Sequence, residues 1–513
     1  MRRSFVLAVL SVLLLAAWMA GRMSTWHWGL ATASAQTVAG SERGTRASAG
    51  RAPAKPSARS DPAAREVKRA LDALQAWVKG HGGQLSAAIL SVDTGQLLAA
   101  AGEQLALNPA SNIKLVTAAA ALARLGPDYR FTTGLYGRLR DGRVDDLALR
   151  GHGDPSLSAE HLWEMSERLA SMGVREVKRL WVDQSRFDDQ FVPPGFGQQP
   201  NEWAAFRAPV SAVAIDRNTI TLHVLPTAGG QPARVWFDPP GAVNSSGSVE
   251  TRPRGTGQDV LLSLSGEGGG LRAQVGGHAA EGLPLMSFTK RVDDPRLVPG
   301  LVLRHQLERF GVKVESDVSL GGESVAGRLV VHRSARLGVL VRQLGKESDN
   351  FYAEMLLKAL GAETKGEPAT SEAGAAAVRD WLVTVGATSP TTRITNGSGL
   401  FDTNRISALE LARVLRAAYR DASLGPEYVS QLAVAGVDGT LEGRFRSPLV
   451  RGRVRAKTGT LATVDALSGY AMAPNAAMPV ALALVVNGIN DHRATRQHLD
   501  RVVEAVAAHL WRR

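Results

Sequence analysis

The chain contains no cysteine. A disulfide framework, a thiol nucleophile and a thiolate metal site are therefore all excluded, and stability has to come from a buried core. Aromatic residues are sparse, at 5% of the chain, and no two of its ten tryptophans are spaced as a sugar-stacking platform. The eleven histidines show no H-E-x-x-H or similar ligand spacing, so no metal or cofactor is expected. "GEGGG" at 266–270 is not a phosphate cradle, because no lysine-bearing helix follows it. One stretch lacks charge altogether: seventeen residues, "SFVLAVLSVLLLAAWMA", follow Met1-Arg2-Arg3. A short basic start and an apolar block have the layout of a secretory signal, with Ala33-Ser34-Ala35 as a small-residue cleavage site. That site lies far from the block, and seventeen residues sit at the short edge of a bilayer span, so an uncleaved anchor is the alternative. Residues 1–36 are thus expected to be a signal peptide or N-terminal anchor. The expected location is the periplasm, with peripheral association to the membrane if the anchor is kept.

The formal net charge of +12 is unevenly placed. Residues 1–62 hold eight Lys or Arg against two acids, which is half the excess. The remainder is too dilute over the rest of the chain to suggest nucleic acid as a partner. A basic tether beside an anionic membrane or cell wall fits better. The other proportions, 44% hydrophobic and 21% charged over 513 residues, describe an ordinary core and two or more domains.

Residues 37–65 are rich in Gly, Ala, Ser, Pro and Arg without periodicity, a disordered basic linker. A helical pattern follows, with Val67, Leu71, Leu74 and Trp77 on one face. Two apolar runs around Asp93-Thr94-Gly95 then predict a hairpin, and "NIKLVTAAAALARLG" predicts a helix. From residue 131 to 326 the texture changes to short β-like runs separated by Gly and Pro, which suggests one or two inserted, mostly β domains. Helical patterns return at "ARLGVLVRQLGKESDNFYAEMLLKALG" and "ALELARVLRAAYRD". Near the end, "RVRAKTGTLATVDALSGYAMA" and "MPVALALVVNGIN" suit central antiparallel strands, and a last helix closes the chain. Segments 66–130 and 327–513 therefore form one α+β domain interrupted by an insertion.

Three short motifs stand in a fixed order along this frame. Ser111-Asn112-Ile113-Lys114 is S-x-x-K, Ser348-Asp349-Asn350 is S-x-N, and Lys457-Thr458-Gly459 is K-T-G. Positions i and i+3 share a helix face, so Lys114 can reach the Ser111 hydroxyl. A lysine in a desolvated, cationic site has a lowered pKa and can serve as a base. A serine at a helix N-terminus lies among free N–H groups that can hold an oxyanion. Ser348 can relay a proton to a leaving amine, and Asn350 can hold a substrate amide. Lys457, on a strand edge, offers a positive charge to a terminal carboxylate, assisted by the Thr458 hydroxyl. Gly459 leaves that edge unobstructed for a peptide. Read alone, Ser111 is a plain helix cap. Lys114 in the first turn opposes the helix dipole, however, and that placement makes sense if the amine does chemistry.

Each motif is weak by itself. Ser287-Phe288-Thr289-Lys290 also fits S-x-x-K, 61 residues before Ser348. It is followed by "RVDDPR", with two acids and Pro295 where a buried helix is required, and is set aside. S-x-N and K-T-G each occur once. The ordered trio is the set found in penicillin-binding proteins and serine β-lactamases.

With these residues the chain resembles the low-molecular-mass penicillin-binding proteins of D-alanyl-D-alanine carboxypeptidase/endopeptidase type (the penicillin-binding protein 4 type, peptidase family S13) over about residues 66–513. The 237-residue separation of Ser348 from Ser111 matches that family's long insertion. "GHGDPSLS" at 151–158, "APVSAVAIDRNTI" at 208–220, "NGSGLFDTNRIS" at 396–407 and "AGVDGTLEGRF" at 435–445 resemble it too. The resemblance implies a penicillin-recognising, transpeptidase/β-lactamase-like α+β domain with two inserted domains. It implies peptidoglycan stem peptides as substrates, an acyl-enzyme on Ser111, and β-lactams as acylating inhibitors. Removal of terminal D-alanine and cleavage of D-alanyl cross-links are the implied reactions. By analogy Thr460 supplies a second oxyanion N–H beside that of Ser111.

Phe401 and Asp402 depart from the serine and basic residue expected in "NGSGLFDTN", which bears on side-chain specificity. Asp154 of "GDPSL" reads either as a receptor for the amine of the substrate's diamino acid or as a turn starter. Rival readings are a serine β-lactamase, against which stand the insertion and the lack of an E-x-x-x-N segment, and a non-catalytic wall-binding protein, which would have no need of Ser111, Lys114 and Lys457 together. Ser111→Ala is expected to abolish covalent labelling by fluorescent penicillin while Ser287→Ala labels normally; loss of labelling in the second variant alone would reverse the assignment.

Overall fold

The computed structural model describes residues 62–199, 203–267, 270–475 and 477–511. The expected signal or anchor, and linker residues 37–61, lie outside the described residues. The first helix, Pro62–Gly80, takes in the last four residues of the expected linker. Val67, Leu71, Leu74 and Val78 form its buried stripe, with Trp77 at the margin stacked on His498 at 4.9 Å between ring centroids.

Six antiparallel strands make the central sheet, in the order Ala433–Val434, Val454–Leu461, Val464–Ala471, Val480–Asn487, Gln84–Ser91, Leu97–Ala101. Its middle strands are buried on both faces, which is why they read as continuous apolar runs rather than alternating ones. On one face lie Pro62–Gly80 and the C-terminal helix His492–Trp511. On the other lies a helical layer that includes Ile113–Leu125, Leu337–Lys346, Asn350–Lys365, Ser371–Thr384 and Ala408–Arg420. The hairpin around Asp93-Thr94-Gly95 forms as expected.

The insertion is nested. Its outer part is a seven-stranded mixed sheet that includes Arg143–Gly151 and Glu176–Asp183, covered by the helices Ala159–Ser171 and Val298–Arg309. Its inner part, residues 219–291, is a three-stranded sheet with Thr219–Leu225 at its centre and a four-stranded sheet around Gln258–Glu267 and Gly270–Ala280. One boundary needs correction. Arg328–Arg333, expected in the returning catalytic segment, pairs antiparallel with Thr132–Tyr136 and belongs to the inserted sheet. A long-range register decides that strand, and its local pattern carries no trace of it.

Leu484, in the middle of the Val480–Asn487 strand, is fully buried in the core that also takes in residues of Pro62–Gly80 and His492–Trp511. Leu484→Ala is expected to cost about 2–5 kcal/mol in denaturant unfolding; a loss below about 1 kcal/mol would mean that this layer is not a close-packed core.

Candidate active site

The three motifs converge where the central sheet meets the helical layer. Ser111 lies in a single turn of 3-10 helix, Ala110–Asn112, that leads into Ile113–Leu125. Asn112, not Ser111, occupies the cap position, and neither side chain makes a capping hydrogen bond. The Ser111 hydroxyl instead accepts from Lys114 Nζ at 2.9 Å. The cap reading therefore fails on geometry.

Lys114 is fully buried. Its ammonium also donates to Asn350 Oδ1 at 2.7 Å and to the Ser398 carbonyl at 2.6 Å. Burial is the main cause that brings its pKa down to about 7, against the opposing pull of the Glu354 and Asp349 carboxylates. Glu354 is itself buried and accepts from the Ser398 and Gly397 N–H groups at 2.8 and 3.1 Å. It thereby pins the loop whose carbonyl faces Lys114. Burial pushes the Glu354 carboxyl upward, with those bonds and the Lys114 charge opposing.

Ser348 has a left-handed backbone, φ 60°, unusual for a non-glycine residue and typical of functional turns. Its hydroxyl accepts from Lys457 Nζ at 2.7 Å. Lys457 is also fully buried, and burial followed by the charge of Lys114 holds its pKa well below the usual lysine range. Its amine donates to the Thr458 carbonyl as well, at 2.8 Å. Asn350 differs from expectation. Its oxygen accepts from Lys114 Nζ and its nitrogen donates to the Phe206 carbonyl at 3.0 Å, so both ends of the amide are engaged within the protein.

Gly459 is required for a reason other than the one expected. A Cβ there would lie 2.9 Å from the Pro109 carbonyl and 3.1 Å from Ser111 N, so the missing side chain lets the strand press against the serine turn. Gly399 does the same from the opposite side: its φ is +76°, and a Cβ would fall 1.9 Å from the Ala110 carbonyl. The Thr458 hydroxyl bonds Thr440 Oγ1 at 2.9 Å, and Thr460 Oγ1 accepts from Arg496 at 3.1 Å. Past Ala456 the strand has no partner on the Ala433–Val434 side among the described residues. Lys457 to Leu461 thus offer a free backbone edge beside Ser111.

Asp154 is buried, and its Oδ1 accepts from the N–H and hydroxyl of Ser156 at 2.8 and 2.6 Å, an Asx turn. Its other oxygen lies 3.6 Å from His332 Nε2 and has no hydrogen-bond partner among the described residues. The turn occupies one carboxylate oxygen and leaves the other unpaired. Ser287 lies on a strand, Met286–Arg291, and bonds His223 at 2.9 Å, while Lys290 donates to the Leu262 carbonyl. Residues i and i+3 of a strand project to opposite faces, so this second S-x-x-K cannot assemble.

Several supporting residues carried no motif. Asn112 joins the serine turn to the sheet, its amide nitrogen toward the Lys457 carbonyl at 2.9 Å and its oxygen toward Ser468 Oγ at 2.8 Å. Glu354 had no local signal beyond apolar surroundings, and Ser398 had only its place in the resembling segment at 396–407. Arg217, from the insertion, donates to Asp349 at 2.7 Å. A cavity of about 480 Å³ adjoins the site, lined by Phe206, Leu400, Phe401, Asp402 and Leu461 among others. There Asp402 is paired with Arg405 at 2.5 Å and accepts from Asn108 at 3.1 Å.

A buried lysine hydrogen-bonded to a serine on a helix N-terminus, under the open edge of an antiparallel sheet, defines the penicillin-recognising serine acyl-transfer class. Comparison with known proteins narrows this. Residues 68–509 match the model of the D-Ala-D-Ala carboxypeptidase 3 (S13) family, and the chain belongs to that family. It is 33% identical over 448 residues to a D-alanyl-D-alanine carboxypeptidase of Actinomadura sp. (strain R39), covering 82% of this chain and 81% of that one. It is 27% identical over 390 residues to the D-alanyl-D-alanine carboxypeptidase DacB of Haemophilus influenzae, covering 74% and 80%. The crystal structure of penicillin binding protein 4 (dacB) from Haemophilus influenzae shares the fold, with a TM-score of 0.70 and 24% identity over 85% of this chain and 99% of that one.

Gly459→Ala is expected to displace the Ser111 turn and slow covalent labelling by penicillin about tenfold to a hundredfold, with thermal unfolding little changed. Normal labelling of that variant would show that the close approach of strand and turn is not needed.

Proposed function

We propose that the chain is a penicillin-sensitive serine carboxypeptidase that removes terminal D-alanine from peptidoglycan stem peptides, and cleaves D-alanyl cross-links, through an acyl-enzyme on Ser111. The observation that carries this is the 2.9 Å bond between Lys114 Nζ and Ser111 Oγ, made by a fully buried amine whose pKa lies at about 7. Neutral Lys114 takes the hydroxyl proton as Ser111 Oγ attacks the carbonyl carbon of the penultimate residue. The oxyanion is received by the Ser111 and Thr460 N–H groups. As the C–N bond breaks, the departing amine takes a proton through Ser348, whose hydroxyl is held by Lys457. Water then cleaves the ester. The free edge from Lys457 to Leu461 is suited to an extended peptide, which would add to it as a strand. Lys457, when protonated, supplies the positive charge for a terminal carboxylate. A β-lactam, an amide that places its carbonyl at the same point, forms the same ester.

The apolar leader at 4–20 and the basic tether support export to the periplasm, with the membrane surface as the site of retention if the leader stays. Peptidoglycan lies on that side.

Because the neutral form of Lys114 is the base, acylation is expected to rise with pH through a midpoint near 7. Mass spectrometry after incubation with benzylpenicillin should find a long-lived adduct on the Ser111 peptide, and a stem pentapeptide should lose one D-alanine. Rapid drug loss without an adduct would indicate a β-lactamase, and neither adduct nor drug loss from folded protein would favour the non-catalytic reading.

A further inference from the structure

The insertion touches the site through one turn whose backbone is unusual. Asp216, Arg217 and Asn218 have φ values of 46°, 59° and 50°, three successive left-handed residues with no glycine among them. Such a conformation persists only where the surroundings impose it. Here Asn218, buried, donates to the Pro209 carbonyl at 3.0 Å and to Ser211 Oγ at 3.2 Å. Asp216 accepts from the Ala159 N–H at 3.2 Å. Held at both ends, the turn projects Arg217 out of the insertion. Arg217 Nε donates to Asp349 Oδ2 at 2.7 Å, and its guanidinium lies 5.3 Å over the Tyr352 ring.

Asp349 is the middle residue of Ser348-Asp349-Asn350. Its other oxygen accepts from the Tyr352 N–H at 3.1 Å and caps the Asn350–Lys365 helix. One carboxylate thus ties the motif to its own helix on one side and to the insertion on the other. The flanking residues carry the two bonds that matter, Ser348 to Lys457 and Asn350 to Lys114. The insertion holds this motif a second time through the Phe206 carbonyl and Asn350 Nδ2. A chance surface ion pair would need no strained turn. Asp349 is also only 14% exposed in its side chain.

We infer that Arg217 is a positioning residue for acylation: through Asp349 it braces the Ser348–Asn350 turn against the serine and offsets a carboxylate that faces Lys114. The inference rests on the reading of Lys114 as the base. The charged groups facing Lys114 are Asp349 and Glu354, from the cap and body of one helix, and Lys457 from the sheet. Those facing Arg217 are Asp349 and Asp216, with the Tyr352 hydroxyl. Without Arg217 the pull of Asp349 on Lys114 is uncompensated. The ammonium is then favoured, and less base is present at neutral pH.

The test uses the full chain and three variants: Arg217→Ala, Arg217→Lys, and Arg217→Ala combined with Asp349→Asn. Arg217→Ala should acylate about tenfold more slowly at pH 7, its pH–rate midpoint raised by about one unit. Arg217→Lys should return the midpoint toward that of the parent. The double variant should restore the midpoint too, while its rate stays low. Hydrogen exchange at residues 347–353 should quicken in Arg217→Ala and not elsewhere in the helix layer. A folded Arg217→Ala with parental rate, midpoint and exchange overturns the inference, as does a loss of thermal stability with no change in those three. If the parent itself is not acylated, the functional reading fails separately, and exchange at 347–353 alone decides whether the brace exists.

Discussion

A lysine amine removed from water is the constraint on which the rest of this structure depends. Burying an ammonium is costly unless it is paired or loses its proton. Lys114 has no carboxylate in hydrogen-bond contact; it has a hydroxyl, an amide oxygen and a carbonyl. Those partners satisfy its donors without anchoring a full charge, and the result is an amine close to balance near neutral pH. Each partner comes from a different part of the chain. The serine turn, the S-x-N turn and the Ser398 loop must therefore all be held in place for one side chain, and the fold does this with three separate devices.

The first device is close approach. Gly459 and Gly399 let a strand and a loop press on the Ala110–Asn112 turn from two sides. The second is the buried amide of Asn112, which fastens the turn to Lys457 and Ser468 across neighbouring strands. The third is charge placed one layer back. Glu354 grips the Ser398 loop through two N–H groups, and Asp349 grips its own helix and Arg217. The insertion is part of this support, because its Phe206 carbonyl and Arg217 both end on the S-x-N turn. It is more than an appendage between two halves of the acyl-transfer domain.

What was legible in the sequence follows from range. Ser111 and Lys114 are one helical turn apart, so local spacing alone brings them together. The hairpin at Asp93–Gly95, the terminal strands and the α+β order were legible for the same reason, since turn residues and apolar periods are local. The order of the three motifs identified the site, although no local rule places Ser348 or Lys457 next to Ser111. Where an orientation depended on distant packing, sequence reasoning erred. The Lys457 amine ends on Ser348, more than a hundred residues earlier, which no local pattern predicts. Gly459 answers to Pro109, more than three hundred residues earlier. Asp154 carried a polar side chain in a recognisable motif, and its Asx turn engages one oxygen of the carboxylate. The Arg328–Arg333 strand was misplaced because its partner, Thr132–Tyr136, lies far back in the chain. Arg217 had no signal at all beyond membership of a resembling segment.

The central claim is that a substantial fraction of Lys114 is neutral base near pH 7. The most direct measurement is the titration of its side-chain amine by NMR, with Lys114→Arg to assign the resonance and Ser111→Ala as a check on the folded site. A midpoint near 7, well below the bulk of the lysines, is the predicted result. A midpoint at or above about 10 would mean that Lys114 remains an ammonium at neutral pH, and the account of Ser111 activation would be wrong.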